Sequence, residues 1–415
     1  MKIRQITGAR CTLCGHVTEA TPDITVCPEC GGILDIEYDY DYIRSKLTKY
    51  ELMDRTESTM WRYMEFLPVE GIGRAPRLRV GNSPLYSAGR LAEAIGLTGP
   101  MWIKDDGQNP TASLKDRASA MAVVKAEEAG KHIIACSSTG NAASSLAGNA
   151  AAAGMRTFIF VPSRAPKGKV AQLQMFGAKV ILVDGSYEDT FRLSAEAIEH
   201  FGWYNRNAAI NPYLMEGKKT VSLEIAEQLQ FRAPDYVAVS TGDGCTIAGV
   251  WKGFKDLYAA GFISSLPRLI SVQAAGCCPI NTAAATHTLD WKPQEENTIA
   301  DSIAVGVPRN PIKALRAIEE SKGITVNVTD EEILAAMRLL GRTQGVFAEP
   351  AGATGTAGLR KAVETGLVER GASVVSLVTG NGLKDVANAI RAAGEPTVLP
   401  PSMDALLEAL DRGGR

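Results

Sequence analysis

Residues 235–261 read "DYVAVSTGDGCTIAGVWKGFKDLYAAG". The run up to Ser240 is short and rich in β-branched and apolar residues, which predicts a buried strand. A turn containing Gly242 and Gly244 follows it, and the apolar residues after that turn predict a helix. A strand that passes through a glycine turn directly into a helix is the repeating unit of a parallel α/β sheet.

The same order of strand, turn and helix recurs along the chain from about residue 100. Each predicted strand mixes β-branched with other apolar residues, which is typical of strands buried on both faces, and the pattern therefore predicts doubly wound parallel sheets. The predicted strands are 101–106, 132–138, 156–162, 178–184, 235–241, 268–274 and 373–379. The predicted helices include 113–129, 141–153, 167–176 and 187–201.

Composition excludes several classes of protein. A chain of 415 residues is long for one simple core and predicts two or three domains. A net charge of -2 gives no electrostatic reason to bind nucleic acid or an anionic membrane. No apolar run reaches the ~18 residues of a membrane helix, and the start "MKIRQITGARCTLC" has no apolar signal region. We therefore expect a cytoplasmic protein with a small-molecule partner.

Four of the eight cysteines form two close pairs, Cys11 with Cys14 and Cys27 with Cys30, separated by twelve residues. Two such knuckles can place four thiolates around one ion, which favours a tetrahedral structural zinc in a reducing compartment. The alternatives are a ribbon that has lost its metal and a redox pair. Residues 1–40 are too few for a core of their own, so the metal would supply their folding energy.

Residues 109–117 read "NPTASLKDR" and place Lys115 in the first turn of a predicted helix. The positive end of the helix dipole and any burial disfavour the ammonium form of a lysine there. Such a lysine can act as a Schiff-base nucleophile. Taken alone, the stretch favours an ordinary exposed lysine.

Residues 137–140 read "SSTG" and precede a helix rich in small residues. Their hydroxyls, together with the free amides of the helix start, make an anion site suited to a carboxylate. Asn141 adds a neutral donor that suits a phenolate oxygen. The alternative is ordinary helix capping, for which one serine or threonine suffices.

Two glycine turns follow later strands. Gly242 and Gly244 permit positive φ and a close approach to a phosphate, but a dinucleotide fingerprint fails because Ile247 stands where it needs a third glycine. In "VTGNGLKD" (378–385), the hydroxyl of Thr379 can meet a neutral ring nitrogen, although alone the stretch reads as a turn. Together the four turns offer the groups that hold pyridoxal phosphate with an amino acid.

The stretches "NPTASLKDR", "SSTGNAA", the 242–246 loop, "EPAGA" (349–353) and "TGNGLKD" occur in the order of a known family. From about residue 80 to 395 the chain resembles the fold type II (tryptophan-synthase-β-like) pyridoxal-phosphate enzymes, most closely the threonine-synthase-like ones, which also carry a four-cysteine ribbon. The resemblance implies an α/β fold with two doubly wound parallel-sheet domains preceded by a small zinc-ribbon-like module. The expected division is 1–40 for the ribbon, 41–135 and 213–400 for the large cofactor-binding domain, 136–212 for the small substrate-contacting domain and 401–415 for a C-terminal tail.

The resemblance also implies roles for single residues. Lys115 would be the catalytic lysine that holds the cofactor as a Schiff base, Asn141 would bond the ring hydroxyl and Thr379 the pyridine nitrogen. The residues implied around the cofactor phosphate are Gly242, Asp243, Gly244, Cys245 and Thr246. The residues implied at the substrate carboxylate are Ser138, Thr139 and Gly140.

A phosphate on the substrate would need further cationic or polar groups. Arg117 is one candidate, with pairing to Asp116 or Asp106 as the alternative. The other candidates, each near a predicted loop or helix start, are Lys167, Lys169, Asn207 and Lys218. Solvated surface charge is the alternative for any single one of them.

The implied function is a homodimeric lyase that converts O-phosphohomoserine and water to threonine and phosphate by β,γ-replacement, with pyridoxal phosphate as cofactor and a structural Zn2+. One alternative is a related β-replacement or β-elimination enzyme of the cysteate synthase or threonine/serine dehydratase type. Another, from a different class, is a non-catalytic zinc-ribbon binding protein.

The chain departs from the family pattern at several positions. The usual lysine motif has Gly, Phe and Gly where this chain has Ala112, Leu114 and Ala118, and Ala208 stands where the resembled enzymes offer a hydroxyl. Asp243 places a carboxylate next to a phosphate, which is tolerable if it bonds backbone amides. These departures concern the substrate more than the cofactor.

Overall fold

Three sheets organise the chain in the computed structural model, which describes residues 3–73, 75–165 and 167–412. The strands are β1 (Ile6–Cys11), β2 (Val17–Thr18), β3 (Leu34–Tyr38), β4 (Leu85–Ser87), β5 (Met101–Asp105), β6 (Ile133–Ser137), β7 (Arg156–Pro162), β8 (Lys179–Val183), β9 (Tyr204–Asn205), β10 (Tyr236–Ser240), β11 (Arg268–Ala274), β12 (Ile324–Val328) and β13 (Val374–Val378).

The α-helices cover the sheets and extend into the expected tail, whose residues 413–415 lie outside the described residues. They are α1 (Tyr40–Lys46), α2 (Lys49–Met53), α3 (Gly89–Ala94), α4 (Lys115–Glu128), α5 (Asn141–Ala152), α6 (Lys167–Met175), α7 (Tyr187–Phe201), α8 (Tyr213–Gln228), α9 (Cys245–Ala259), α10 (Pro279–Ala285), α11 (Pro311–Glu320), α12 (Asp330–Gln344), α13 (Pro350–Glu364), α14 (Val386–Ala393) and α15 (Met403–Arg412). Short 3-10 helices span Met60–Phe66, Asp106–Gln108, Asp301–Ile303 and Gly382–Lys384. Among the described helices, none is both long enough and apolar enough to cross a membrane.

The largest sheet has six strands in the order β12-β11-β10-β13-β5-β4. Its pairs are parallel except β4 with β5, which is antiparallel and closes one edge. Along β10, Val237 and Val239 belong to one hydrophobic cluster with α8, α9 and α11, whereas Tyr236 and Ala238 belong to another with α12 and α13. Because side chains alternate across a strand, helices cover both faces of this sheet, and the predicted doubly wound architecture is confirmed.

A second sheet is wholly parallel, with four strands in the order β8-β7-β6-β9. The small buried residues Ala143, Ala147 and Ala150 let α5 pack closely in the cluster beside this sheet. The strands of this sheet lie between residues 133 and 205, and the exact domain boundaries expected from the sequence stay a prediction.

The N-terminal module is a three-stranded antiparallel sheet, β2-β1-β3. Its side chains Leu34, Ile36 and Tyr38 belong to the same cluster as α8 and α9. Lys252 and Lys313 donate to the backbone oxygens of Ile36 and Leu34, both at 2.6 Å. The module therefore shares the core of the large sheet, which adds packing to the metal-derived folding energy expected from the sequence.

The chemistry-bearing turns follow β5, β6, β10 and β13, each at the carboxyl end of its strand. Ligands bind at this edge of open parallel sheets. The fold therefore brings the four turns that the sequence singled out toward one region.

Candidate active site

Lys115 is the first residue of α4 and lies half-buried. Its loop is tied to the loop after β13, since Leu114 N–H donates to Thr379 O at 2.9 Å and Asn381 N–H donates to Ala112 O at 3.1 Å. Ala112 has φ +66°, a left-handed conformation that normally favours glycine. The left-handed backbone explains why the family has glycine at this position. This chain adopts the same conformation with alanine.

The Lys115 amine makes no hydrogen bond or ion pair with any residue the structure describes. Burial, and then the charges of Lys218 and Arg206, lower its pKa to about 8, although Glu349 acts in the opposite direction. An amine in this state can serve as nucleophile and as proton carrier near neutral pH.

Asp116, the residue after the lysine, holds the loop in place through hydrogen bonds. Asp116 accepts hydrogen bonds from the backbone N–H and the hydroxyl of Thr111 and from the side chain of Asn149, all at 2.8 Å. Burial raises the pKa of Asp116 to about 6. Asp116 thereby links the lysine loop to α5 of the smaller sheet.

Arg117 is fully buried, and its charge is neutralised within the protein. Its guanidinium pairs with Asp106 at 2.7 Å and with Glu224 at 2.5 Å, and Glu224 also pairs with Lys104 at 2.7 Å. The alternative pairing with Asp106 is confirmed, and the candidacy of Arg117 for a substrate phosphate is wrong because both of its carboxylates already satisfy it.

The loop before α9 needs glycine at two positions. Gly244 has φ +89°, and a Cβ there would lie 2.4 Å from Asn310 O, while a Cβ on Gly242 would lie 2.8 Å from Ile303 Cα. Among the residues that the structure describes, no side chain caps the first amides of α9. The amides of Cys245 and Thr246 therefore begin a helix whose positive end can take an anion.

Asp243, in the same loop, keeps its carboxylate engaged with the protein. Its Oδ1 accepts from Arg309 N–H at 2.6 Å, and its Oδ2 accepts from the Cys245 thiol at 3.5 Å. Burial raises the pKa of this carboxyl above its usual value. The carboxylate thus accepts a hydrogen bond from a backbone amide. This is the condition under which a carboxylate is expected to be tolerable beside a phosphate.

The start of α5 is likewise free of a side-chain cap. Ser138 Oγ instead accepts from Gly140 N–H at 3.2 Å, and Thr139, Gly140 and Asn141 line a cavity of about 760 Å3. Asn141 donates to Glu349 Oε1 at 2.7 Å. A cavity of this size suits a cofactor with a small substrate.

Glu349 lines the same cavity and received no role from the sequence, although it begins the "EPAGA" stretch. Burial raises its pKa to about 7, against the effects of its bond to Asn141 and of the nearby Lys115. A Cβ on Gly380 would lie 2.2 Å from Glu349 Oε1, so a side chain there would displace the carboxylate. The motif was visible in the sequence, but the burial of its carboxylate was not.

The sequence offered four further candidates for substrate binding. Lys167, the first residue of α6, is exposed, and the other three lie in different settings. Lys169 on α6 is 32% exposed and pairs with Asp301 across the cavity at 2.7 Å. Lys218 on α8 and Asn207 after β9 are buried. Lys169 therefore belongs to the rim of the cavity and the other two to the interior.

Several buried polar atoms near these turns have no partner among the described residues. They are Ser113 Oγ, Ser137 Oγ, Asn207 Nδ2 and Asn310 Oδ1. Buried polar groups are ordinarily hydrogen-bonded, so this set indicates a place for a polar ligand. Arg206, which the sequence did not indicate, is also buried here, and among the described residues its guanidinium donates only to the Ser119 hydroxyl, at 3.1 and 3.2 Å.

The four cysteines of the N-terminal module converge, with all Sγ atoms within 4.8 Å of one another. Cys11 to Cys30 is 3.5 Å, Cys14 to Cys30 is 3.4 Å and Cys14 to Cys27 is 3.7 Å between sulfur atoms. Tetrahedral zinc with bonds of about 2.3 Å to sulfur separates its ligands by about 3.8 Å. The cluster has the dimensions of such a site.

Comparison with known proteins places these features in a family. Residues 77–380 match the family model described as pyridoxal-phosphate dependent enzyme. The chain is 40% identical to the threonine synthase of Methanocaldococcus jannaschii over 97% of its length and 98% of that protein, and 40% identical to that of Methanosarcina acetivorans with the same coverage. The threonine synthase of Mycobacterium tuberculosis is 38% identical over 84% of this chain and 94% of that protein.

Solved structures share the fold at much lower identity. A threonine deaminase of Solanum lycopersicum superimposes with a TM-score of 0.64 at 21% identity, covering 75% of this chain and 86% of that one. Maize serine racemase gives a TM-score of 0.64 at 22% identity, covering 77% and 94%. At these identities the likeness concerns the fold alone.

Proposed function

The chain belongs to the family of pyridoxal-phosphate-dependent enzymes, and from that premise we propose that it is a threonine-synthase-like lyase acting on O-phosphohomoserine. The observation that carries the proposal is the Lys115 amine, which has no partner among the described residues, in a chain 40% identical to threonine synthases over nearly its whole length. The uncapped starts of α5 and α9 add two sites for anions. The reaction would replace the phosphate by adding water across Cβ and Cγ.

The donor set of the site fits pyridoxal phosphate. Lys115 would hold the cofactor covalently, and the amides at Gly244, Cys245 and Thr246 would hold its phosphate. Thr379, whose backbone already touches the lysine loop, and Asn141 would meet its ring. The bound cofactor supplies an electron sink for negative charge that develops on the substrate carbons.

The residues of the chain would then control protons and orientation. Overall, the Cγ–O bond to phosphate breaks and a Cβ–O bond to the water oxygen forms. Cγ gains the hydrogen that Cβ loses, and the proton released by the water leaves with the phosphate. Lys115, once its amine is free, is the group we assign to move the protons of Cα and Cβ, since a pKa of about 8 lets it both accept and return one. Ser138, Thr139 and Gly140, at the α5 start, would hold the substrate carboxylate.

The test is turnover by the purified holoenzyme. We expect equal amounts of phosphate and threonine from O-phosphohomoserine, and we expect Lys115→Ala to lose both this activity and the visible absorbance of the bound cofactor. Lys255→Ala, which removes a half-exposed lysine paired with Glu320, is the matched control and should retain both. If O-phosphohomoserine is inert while O-phosphoserine with sulfite, serine or threonine reacts, the related β-replacement or β-elimination function replaces this proposal.

We further propose that the N-terminal cluster binds one structural Zn2+ through Cys11, Cys14, Cys27 and Cys30. The spacing of the sulfur atoms supports this assignment, and four thiolates would leave the metal no open position for catalysis. A metal assay on protein purified without chelator tests it, with one zinc per chain as the expected result.

A homodimeric state and a cytoplasmic location are also proposals. The first rests on the family resemblance, and light scattering coupled to size-exclusion chromatography measures it directly. The second is supported by the eight cysteines, none of which forms a disulfide within the described structure, as suits a reducing compartment.

A further inference from the structure

Arg206 is a buried arginine without a carboxylate partner. It is 1% exposed, and within the described parts of the chain no Asp or Glu oxygen lies within 4.0 Å of it. Its Nε and Nη2 both donate to a single neutral hydroxyl, that of Ser119. By contrast, the equally buried Arg117 is neutralised by Asp106 and Glu224. A buried charge that lacks a counter-charge is costly unless a ligand supplies one.

A second buried cation lies near the same amine. Lys218 is 3% exposed and makes no hydrogen bond or ion pair with a residue that the structure describes. The charges of Lys218 and Arg206 both lower the pKa of Lys115. The site therefore holds more positive charge than its own carboxylates neutralise, as a site for more than one anion would.

The two cations share Cys245 as a neighbour and differ in their other neighbours. The charge of Lys218 acts on Asp243 and Cys245 in the loop before α9, on the side assigned to the cofactor phosphate. The charge of Arg206 acts on Cys136 in β6, and Arg206 is itself influenced by Cys245 and by Asp116, the residue after the lysine. Arg206 thus lies between β6 and the loop before α9, near the lysine.

Unpartnered neutral donors lie beside Arg206. The backbone N–H of Arg206 donates to Ala135 O in β6, which places it at the carboxyl end of two adjacent parallel strands. The next residue, Asn207, accepts from Ser137 N–H through its Oδ1, so its Nδ2 is turned elsewhere and has no partner among the described residues. The Ser137 hydroxyl is buried and unpartnered as well.

We infer that Arg206 binds the phosphate group of the substrate, with the side-chain amide of Asn207 as a second donor, and that this pair selects a phosphorylated amino acid. The planar guanidinium can donate two parallel hydrogen bonds to a phosphate, which Lys cannot do. The assignment rests on the proposed function for the identity of the substrate, but its anion chemistry can be measured without turnover.

The experiment compares Arg206→Gln and Arg206→Lys with wild type, all as holoenzyme, using inorganic phosphate and L-threonine as separate probes in calorimetry. We expect phosphate binding to weaken by at least about 30-fold in Arg206→Gln, which is the scale of losing one partner of a buried charged hydrogen bond. L-Threonine, which has a carboxylate but no phosphate, should bind with unchanged affinity. Arg206→Lys should recover part of the phosphate binding.

Three other results would overturn the inference. Parallel weakening of threonine binding would assign Arg206 to the substrate carboxylate, and loss of cofactor from Arg206→Gln would assign it to the cofactor phosphate. Unchanged phosphate binding would leave Arg206 without an anion role. Arg55→Gln, at a partly buried arginine paired with Glu65 at 2.6 Å, is the control and should bind both probes like wild type.

Folding is checked independently of binding. Because Arg206 is buried without a counter-charge, Arg206→Gln should unfold at the same or a higher temperature than wild type when phosphate is absent. Added phosphate should raise the unfolding temperature of wild type and not that of the variant. A wild-type enzyme that is inert toward O-phosphohomoserine but shows this phosphate difference would refute the proposed function and leave the anion assignment standing.

Discussion

Asn141 Nδ2 donates to Glu349 Oε1 at 2.7 Å, across a separation of 208 residues. Asn141 opens α5 beside the four-stranded sheet, and Glu349 immediately precedes α13 on the six-stranded sheet. The bond therefore joins the two sheets at the cavity. Because it fixes the side chain that the family resemblance assigns to the cofactor ring, Glu349 acts as the positioning group for Asn141.

The burial of Glu349 should make stability depend on pH. Its folded pKa, about 7, lies above the unfolded value near 4.5, so the folded state binds the proton more tightly. The contribution of Glu349 to the free energy of unfolding is greatest below pH 4.5, and it is lost as the pH rises through 7. Between pH 5.5 and 8 this should cost about 2 kcal/mol, and Glu349→Gln, which keeps the acceptor for Asn141, should abolish the loss. Urea unfolding of the cofactor-free protein across this range measures it.

The control for that series is Glu364→Gln, at a half-exposed carboxylate paired with Arg360. It should leave the pH dependence of the unfolding free energy unchanged. If the unfolding free energies of the wild type and of Glu349→Gln change by the same amount between pH 5.5 and 8, the prediction is contradicted.

Ala112 and Ala118 replace family glycines in opposite settings. Ala112 has φ +66°, whereas Ala118 lies inside α4 and is buried. We expect Ala112→Gly to raise the unfolding free energy by up to about 1 kcal/mol, because relief of left-handed strain exceeds the added entropy of the unfolded chain. Ala118→Gly should lower it by about 1 kcal/mol. Chemical denaturation of both variants measures the two changes in unfolding free energy. Changes of the same sign would refute the prediction that the two positions differ.

Gly244 should be indispensable for the loop before α9. Alanine there would be strained by φ +89° and by the 2.4 Å approach of its Cβ to Asn310 O. The loop would shift its amides away from the anion, so we expect Gly244→Ala to weaken cofactor affinity at least about 10-fold, the scale of one lost charge-assisted hydrogen bond. Cofactor titration followed by absorbance provides the measurement. Gly341→Ala, where no atom lies within 4 Å of the added Cβ, should keep wild-type affinity.

Removal of one thiolate should separate metal binding from packing. Cys27 is buried in the cluster, so Cys27→Ser should lose the zinc and lower the free energy of unfolding by several kcal/mol. The helical signal in circular dichroism should persist at room temperature, because the module shares its core with α8 and α9. Cys278→Ser, outside the cluster, should keep one zinc per chain. Retention of zinc by Cys27→Ser would count against the site.

Much of the fold could be predicted from the sequence, because helices and strands depend on residues that are close together in the chain. The helix predicted over 187–201 is α7, and the strand predicted over 268–274 is β11. Residues 204–228 received no assignment, and they form β9 and α8. β9 has only two residues, too few for a period, and α8 is buried on all sides through residue 226. Its charged residues Glu216 and Lys219 pair with each other inside the protein, and Lys218 is buried as well, so no polar face marks the helix.

The sequence by itself determined the turns, the cysteine spacing and the lysine of the site, because glycine conformation, helix starts and ligand spacing depend on residues close together in the chain. Only the tertiary structure decided which charges are neutralised. Arg117 and Arg206 each lie beside a predicted site stretch, yet one is paired with Glu224 and the other with a hydroxyl alone. Burial and charge pairing are set by segments about a hundred residues apart, and in a low-dielectric interior those distant partners decide whether a cation is a structural group or is left for a ligand.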